Sequence, residues 1–132
     1  PFCLVMMDLD FFKEINDTFG HQTGDRVLQE VAMLILENCR KTDIIGRYGG
    51  EEIIVICPNT KVVEGEQLAE KLRRKIERYT FSDNIQMTSS FGVGEMFGSD
   101  IETFLMRVDA ALYAAKSNGR NRVSVDSFSE QE

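Results

Sequence analysis

Ile44-Ile45-Gly46-Arg47-Tyr48-Gly49-Gly50-Glu51-Glu52-Ile53-Ile54-Val55-Ile56-Cys57 reads as two strands, 44–48 and 53–57, joined by a tight turn. The glycine pair offers the backbone freedom that such a hairpin turn needs. Pro58-Asn59 ends the second strand. Upstream, residues 2–7 form a continuous apolar run, the pattern of a buried strand, which stops at Asp8-Leu9-Asp10. Side chains alternate along a strand, so Asp8 and Asp10 share a face if the strand continues through them.

Helical patterns surround these strands. Residues 11–19 read as a short helix or ordered loop, punctuated by Asn16-Asp17 and Gly20. Residues 22–40 carry Val27, Leu28, Val31, Leu34 and Ile35 at helical spacing, with Thr23 or Asp25 able to cap the start. Residues 62–79 place Leu68, Ala69, Leu72 and Ile76 on one face of a second helix. Ile85, Met87, Ser89, Phe91 and Val93 alternate with mostly polar neighbours, which predicts a strand over 85–93. A third helix is expected over 100–117, with Ser99-x-x-Glu102 as a capping box at its start and Asn118-Gly119 at its end. Val123 and Val125 mark a last short strand. This order predicts an α+β fold: a central, mostly antiparallel sheet flanked by helices. One domain over 1–126 and a polar tail over 127–132 account for the chain.

The composition excludes several classes. With 132 residues, 42% apolar and 28% charged, the chain suits one folded domain rather than a disordered segment. Its net charge of -7 argues against a nucleic-acid polymer as partner, although a local group of cations can still hold phosphates. No apolar run approaches the ~20 residues of a membrane helix, so no membrane contact is expected from this segment. The start, residues 1–7, lacks a basic leader and a small-residue cleavage site, so it reads as a strand and not a signal peptide. Cys3, Cys39 and Cys57 stand singly in apolar segments without CxxC spacing, the usage of reduced thiols in a cytoplasmic protein.

Acids at strand ends cost desolvation energy unless something pairs with them. Asp8, Asp10, Glu51 and Glu52 are such acids, and hard oxygen donors of this kind suit Mg²⁺ with substrate phosphates. Taken alone, Asp-x-Asp is more often a pair of solvated loop acids than a metal site. Gly49-Gly50 is a turn that also lets a bulky ligand approach the backbone. Lys116 and Arg120 flank the end of the last helix, where cations are favourable in any case. His21 is the only histidine, and taken alone a histidine beside a glycine is more often a structural hydrogen-bonder than a base.

The order of these pieces says more than any one of them. Asp8-Leu9-Asp10-Phe11-Phe12-Lys13-x-x-Asn16-Asp17, Gly20-His21-x-x-Gly24-Asp25 and Arg47-Tyr48-Gly49-Gly50-Glu51-Glu52 resemble the GGDEF domain of diguanylate cyclases. So do Ala111-Leu112-Tyr113-x-Ala115-Lys116 and Asn118-Gly119-Arg120-Asn121, and the resemblance runs from about Leu4 to Val125. It implies the nucleotidyl-cyclase-like fold, related to ferredoxin-like and polymerase-palm folds. It also implies a cytoplasmic enzyme, within a full-length protein that could be membrane-anchored, condensing two GTP into cyclic di-GMP with release of pyrophosphate.

Carried over by position, the resemblance implies that Asp8, the Leu9 carbonyl, Glu51 and Glu52 are ligands of Mg²⁺ or Mn²⁺. Glu51 is also implied to help deprotonate the attacking hydroxyl. Asn16 and Asp25 match the guanine-reading pair, and His21 a further substrate contact. An aspartate suits guanine, whose N1-H and N2-H₂ donors adenine lacks. Lys13, Lys116, Arg120 and the backbone around Phe11 and Phe12 look like phosphate contacts, with Gly49 and Gly50 beside the nucleotide. Arg40-x-x-Asp43, five residues before the glycine pair, matches a product-inhibition site. The implied partners are GTP, cyclic di-GMP, a second copy with one GTP per subunit, and an upstream sensor or regulatory domain.

The sequence departs from the family pattern in two places. Ile53 follows Glu52 where phenylalanine is usual, and a β-branched strand residue there should point into the core. The helix and Asp-x-Leu-Thr stretch usual before the first strand are missing, which would expose apolar surface and weaken both the guanine pocket and the activity of this segment alone. Two other readings use the same residues. A module that only senses GTP or cyclic di-GMP would have lost the acids that are present here. A palm-type nucleotide hydrolase or polymerase relative would share the sheet without the Gly-Gly-Glu-Glu hairpin.

Overall fold

The first apolar run forms β1 (Phe2–Leu9), the middle strand of the sheet. A computed structural model describes residues 1–98 and 100–127. After β1 come α1 (Phe12–Phe19), α2 (His21–Asn38), β2 (Ile44–Arg47), β3 (Glu52–Pro58) and α3 (Val62–Arg78). A 3₁₀ turn at Ser82–Asn84, β4 (Ser89–Glu95), α4 (Ile101–Ser117) and β5 (Val123–Val125) complete the order. The sheet runs β2-β3-β1-β4-β5, antiparallel except for the parallel β4–β5 pair at one edge. The expected α+β fold with a mostly antiparallel sheet is the one observed.

β1 is apolar without interruption over residues 2–7 because both faces of the strand are buried. Cys3, Val5, Met7 and Leu9 pack into a core with Phe12 and Ile15 of α1, Val27, Val31 and Ile35 of α2, and Ala69, Leu72 and Ile76 of α3. Leu4 and Met6 point to the opposite face, against Phe104, Val108 and Leu112 of α4. Ile53 joins the first core, as its β-branched shape suggests. Cys3 and Cys57 are buried free thiols, pushed up to about 12 by desolvation, which keeps them protonated and inert.

Four local expectations need correction. β4 begins at Ser89, not Ile85, because β1 ends with Leu9 paired to Ser89 and earlier residues have no strand to join. Ile85 and Met87 are still buried, packed on the first core without being strand. α2 begins at His21 behind Gly20, and neither Thr23 nor Asp25 caps it; the Thr23 hydroxyl instead donates to Asp83 Oδ2 at 2.9 Å. The glycines of the hairpin do not adopt positive φ; among the described glycines those at Gly20, Gly98 and Gly119 do. The fourth concerns α4. Ser99 of the expected capping box lies outside the described residues, and Asp100 is the cap, accepting from Thr103 N at 2.9 Å. Gly119, with φ 123°, ends that helix as expected. Of the polar tail, residues 128–132 lie outside the description.

α4 rests directly on the sheet backbone at Gly92. A Cβ there would stand 2.5 Å from Leu112 N and 2.6 Å from Val108 O. Those are backbone atoms and cannot step aside as a side-chain tip would. Gly92→Ala should therefore cost about 3 kcal/mol by overpacking, seen as a lower urea midpoint with an unchanged slope; an unchanged midpoint would show that α4 lifts freely.

Candidate active site

The site lies where β1 runs out. Leu9 is its last residue, Phe11 turns left-handed at φ 60°, and α1 starts at Phe12 without a side-chain cap. An uncapped helix start leaves backbone N–H groups free for an anion. Asp8 follows Leu4 and Met6 in alternation, so it shares their α4 face. Its direct register partner on β3 is Glu52. The two carboxylates thus share one face on neighbouring strands.

The end of α4 supplies the counter-charge. Lys116 donates to Asp8 Oδ2 and forms an ion pair with it. The other oxygen, Asp8 Oδ1, is buried and has no hydrogen-bond partner among the described residues. Burial pushes the Glu52 carboxyl up, the charge of Asp8 pushes it the same way, and the Lys116 ammonium pulls it back. Past Asn118-Gly119, Arg120 sits at φ 63° with its guanidinium 4.8 Å from the centre of the Phe11 ring.

Asp8, Leu9, Phe11, Phe12, Lys13, Glu51, Lys116 and Arg120 line one cleft of about 240 Å³, together with Asp10 and Glu14. This volume is at the small end for a ligand site and suits the phosphate end of a nucleotide better than the whole. Glu51 reaches the cleft from the hairpin. Its turn is closed by Tyr48 N donating to Glu52 O at 2.9 Å and by the Arg47 guanidinium on Gly50 O at 2.8 and 2.5 Å. A Cβ on Gly50 would meet nothing within 4 Å, so the turn leaves open space above itself.

Not every expected residue joins this cleft. Asp25 lines a neighbouring one of about 480 Å³, with Leu28, Gln29, Ala32, Ile45, Gly46, Arg47 and Ile53. Asn16 lies on α1, and its amide passes over Gly24 of α2; a Cβ at 24 would be 1.8 Å from Asn16 Oδ1. Asn16 and Asp25 therefore stand on packed helices without lining one cleft. His21 is exposed at the start of α2 and lines neither. Among the described residues no three acidic, histidine or cysteine side chains converge closely enough to hold a metal by themselves.

Arg40 and Asp43 form a third place. Asp43 Oδ2 accepts from Arg40 N at 2.8 Å, and the two side chains pair at 3.5 Å. The Arg40 guanidinium also donates to Thr60 Oγ1 and Pro58 O. Their cleft of about 300 Å³ includes Asn38, Thr60, Glu64, Gln67 and Lys71 and none of the acidic site. A larger groove of about 950 Å³ follows α3 from Val63 to Arg78 and also contains no residue of the acidic site.

Gly24, Arg47, Asp10 and Asn121 also shape the site, beyond the residues expected from the sequence. The run Thr88-Ser89-Ser90 leading into β4 is the local signal for Asp10. The side-chain amide contacts of Asn121 had no local signal.

Paired acids at strand ends, cations at a helix end and an uncapped helix start together make a site suited to a phosphorylated ligand. The family model "Diguanylate cyclase, GGDEF domain" matches residues 1–122. Diguanylate cyclase A of Treponema denticola is 43% identical over 128 residues, 92% of this chain and 34% of that protein. The active GGEEF domain of a diguanylate cyclase from Vibrio cholerae has a TM-score of 0.90 at 37% identity, covering 97% of this chain and 84% of that one. The GGDEF domain of DgcB from Caulobacter crescentus, in complex with c-di-GMP, has a TM-score of 0.89 at 36% identity, covering 96% and 78%. The chain belongs to the GGDEF domain family of diguanylate cyclases. It spans about a third of the length of the curated relatives it matches.

The contact at Gly24 gives a local test. In Gly24→Ala the added methyl and the Asn16 amide cannot occupy the same space, and the flexible amide should move. The Asn16 side-chain signal in an amide NMR spectrum should shift strongly while β1 and β4 signals stay in place. Helix propensity favours alanine by about 1 kcal/mol, so stability should change little. An unmoved Asn16 signal would refute the contact.

Proposed function

We propose that this chain is the catalytic domain of a diguanylate cyclase that condenses two GTP into cyclic di-GMP with release of pyrophosphate. The observation that carries this is Asp8. Its carboxylate is buried, cross-strand from Glu52, pinned on one oxygen by Lys116 and unpartnered on the other. A buried lone pair of this kind is costly unless a ligand completes it.

The donor set fits a hard divalent cation. Magnesium takes one or two carboxylates and completes its shell with phosphates and water, so a preformed cage is unnecessary. Asp8, the Leu9 carbonyl, Glu51 and Glu52 would hold Mg²⁺ or Mn²⁺. Bound there, the cation would neutralise charge on departing pyrophosphate and lower the pKa of the attacking 3′-hydroxyl. Glu51 assists removal of that proton. Lys13, Lys116, Arg120 and the N–H groups at Phe11 and Phe12 hold the phosphates, since positioning and charge carry most phosphoryl transfer. Asn16 and Asp25 read guanine, with His21 beside them, and the open turn at Gly49-Gly50 lets the nucleotide come close.

One chain supplies one such cleft. Attack on the α-phosphorus of one GTP by the hydroxyl of another then requires two chains face to face, each with one GTP. Arg40 and Asp43 form the product-inhibition site, where the guanidinium donates to Thr60 and Pro58 and pairs with Asp43. DgcB, a structural relative, was solved with c-di-GMP. An upstream sensor or regulatory domain is expected to bring the pair together. No described helix is long and apolar enough to cross a membrane, and the domain is proposed to work in the cytoplasm.

Protein extended upstream and joined to a dimerising partner should convert GTP with Mg²⁺ into cyclic di-GMP. Glu51→Ala should lower turnover by about 10²–10⁴-fold while GTP still binds. Wild-type protein that binds GTP in dimeric form yet makes no product would leave only a sensor role. A second expectation concerns Arg40→Ala. Loss of a charge-assisted contact should weaken cyclic di-GMP binding by about 10–100-fold and relieve inhibition by product. Unaltered affinity in calorimetry would remove Arg40 from the inhibitory site.

A further inference from the structure

Asp8 and Asp10 are two residues apart, yet their carboxylates have opposite situations. Asp8 keeps a free oxygen. Asp10 is 5% exposed and has both oxygens engaged. Its Oδ1 accepts from the Ser90 hydroxyl at 2.7 Å, and its Oδ2 accepts from the Thr88 hydroxyl at 2.7 Å and from Asn121 N at 3.1 Å. No cation pairs with it among the described residues. A buried carboxylate held only by neutral donors costs desolvation energy, so its placement calls for a role.

That role points to the turn after α4. Arg120 and Asn121 are consecutive non-glycine residues with positive φ, 63° and 49°. Such a pair is strained and persists only where its surroundings hold it. Asn121 is held at two ends. Its N–H reaches Asp10, while its side chain accepts from Arg73 Nη1 at 3.0 Å and donates to Glu77 Oε2 at 2.8 Å. Arg73 is fixed in turn by Glu70 at 2.7–2.8 Å. Arg120 lies directly before this anchor and extends over Phe11 into the phosphate cleft.

We propose that Asp10 is a positioning residue: through the Asn121 N–H it holds the strained turn that aims Arg120 at the nucleotide's outer phosphates. The inference rests on the assignment of Lys116 and Arg120 to phosphate. Asp10 borders the cleft, but both of its oxygens are engaged by groups of the chain itself, so the role assigned to it is to hold the turn and not to bind phosphate or metal. Its removal should be felt at the phosphate end of GTP and not at the guanine end, which is held from α1 and α2.

Calorimetry on the wild-type chain and Asp10→Asn tests this, with two probes in Mg²⁺ buffer: a non-hydrolysable GTP analogue and GMP, which lacks the outer phosphates. In Asp10→Asn the analogue should bind about ten-fold more weakly, the scale of one charge-assisted contact. GMP affinity should stay within about two-fold. A general loss of structure would weaken both alike, and that result, or unchanged analogue affinity, overturns the proposal. If Asp10→Asn does not fold, Thr88→Val takes its place. It keeps the Asp10 carboxylate but removes the hydroxyl that orients Oδ2, the oxygen that accepts from the Asn121 N–H. The analogue should then weaken by about three-fold with GMP unchanged, and equal binding of the analogue to variant and wild type overturns the proposal. Failure of the wild-type chain to bind the analogue would sink the GTP reading itself, whereas loss of the GTP-over-GMP selectivity pattern in the variants alone concerns Asp10.

Discussion

A carboxylate sits at the end of a strand buried on both faces, and one ammonium answers it. That pairing of Asp8 with Lys116 ties the central strand to the end of α4. Around it everything else is arranged by proximity. Glu52 arrives because β3 is in register with β1. Glu51 arrives because the hairpin turn places it one residue earlier. Arg120 arrives because α4 ends at Ser117, one residue past Lys116, and the chain turns there. If β1 were less thoroughly enclosed, Asp8 would be solvated and water would answer the oxygen that is now without a partner among the described residues.

Much of this was legible in the sequence, for physical reasons. β1 shows as an unbroken apolar run because it has no solvent face, and β3 declares itself by length and punctuation. The helices show through periodicity, since each buries one stripe. The acidic and basic residues of the main cleft were identifiable from their order along the chain, which the fold turns into proximity. Less legible were features that depend on where a neighbour stops. Ile85 and Met87 alternate like a strand and are buried like one, but β1 has already ended beside them. Thr23 looks like a cap, yet Asp83, sixty residues away, takes its hydroxyl. The contact of Gly24 with Asn16 is invisible locally, because nothing in a glycine says which side chain crosses it.

The two smaller clefts share an element. α3 lines the Arg40–Asp43 cleft with Glu64, Gln67 and Lys71, and with Arg73 and Glu77 it holds Asn121 near the main one. The opposite face of the sheet shows another economy. Gly92 brings the α4 backbone against β4, so the height of Lys116 above Asp8 is set by main-chain contact and not by adaptable side chains.

Gly50 stands at the tip of the hairpin that carries Glu51 to the cleft. Its φ is not left-handed, and an added methyl would touch no atom of this chain. Neither folding nor packing therefore demands glycine at that position. The open space beside it is free for a visitor, so under the proposed function any penalty for a side chain at position 50 should appear when the domain meets a nucleotide, and not when it folds.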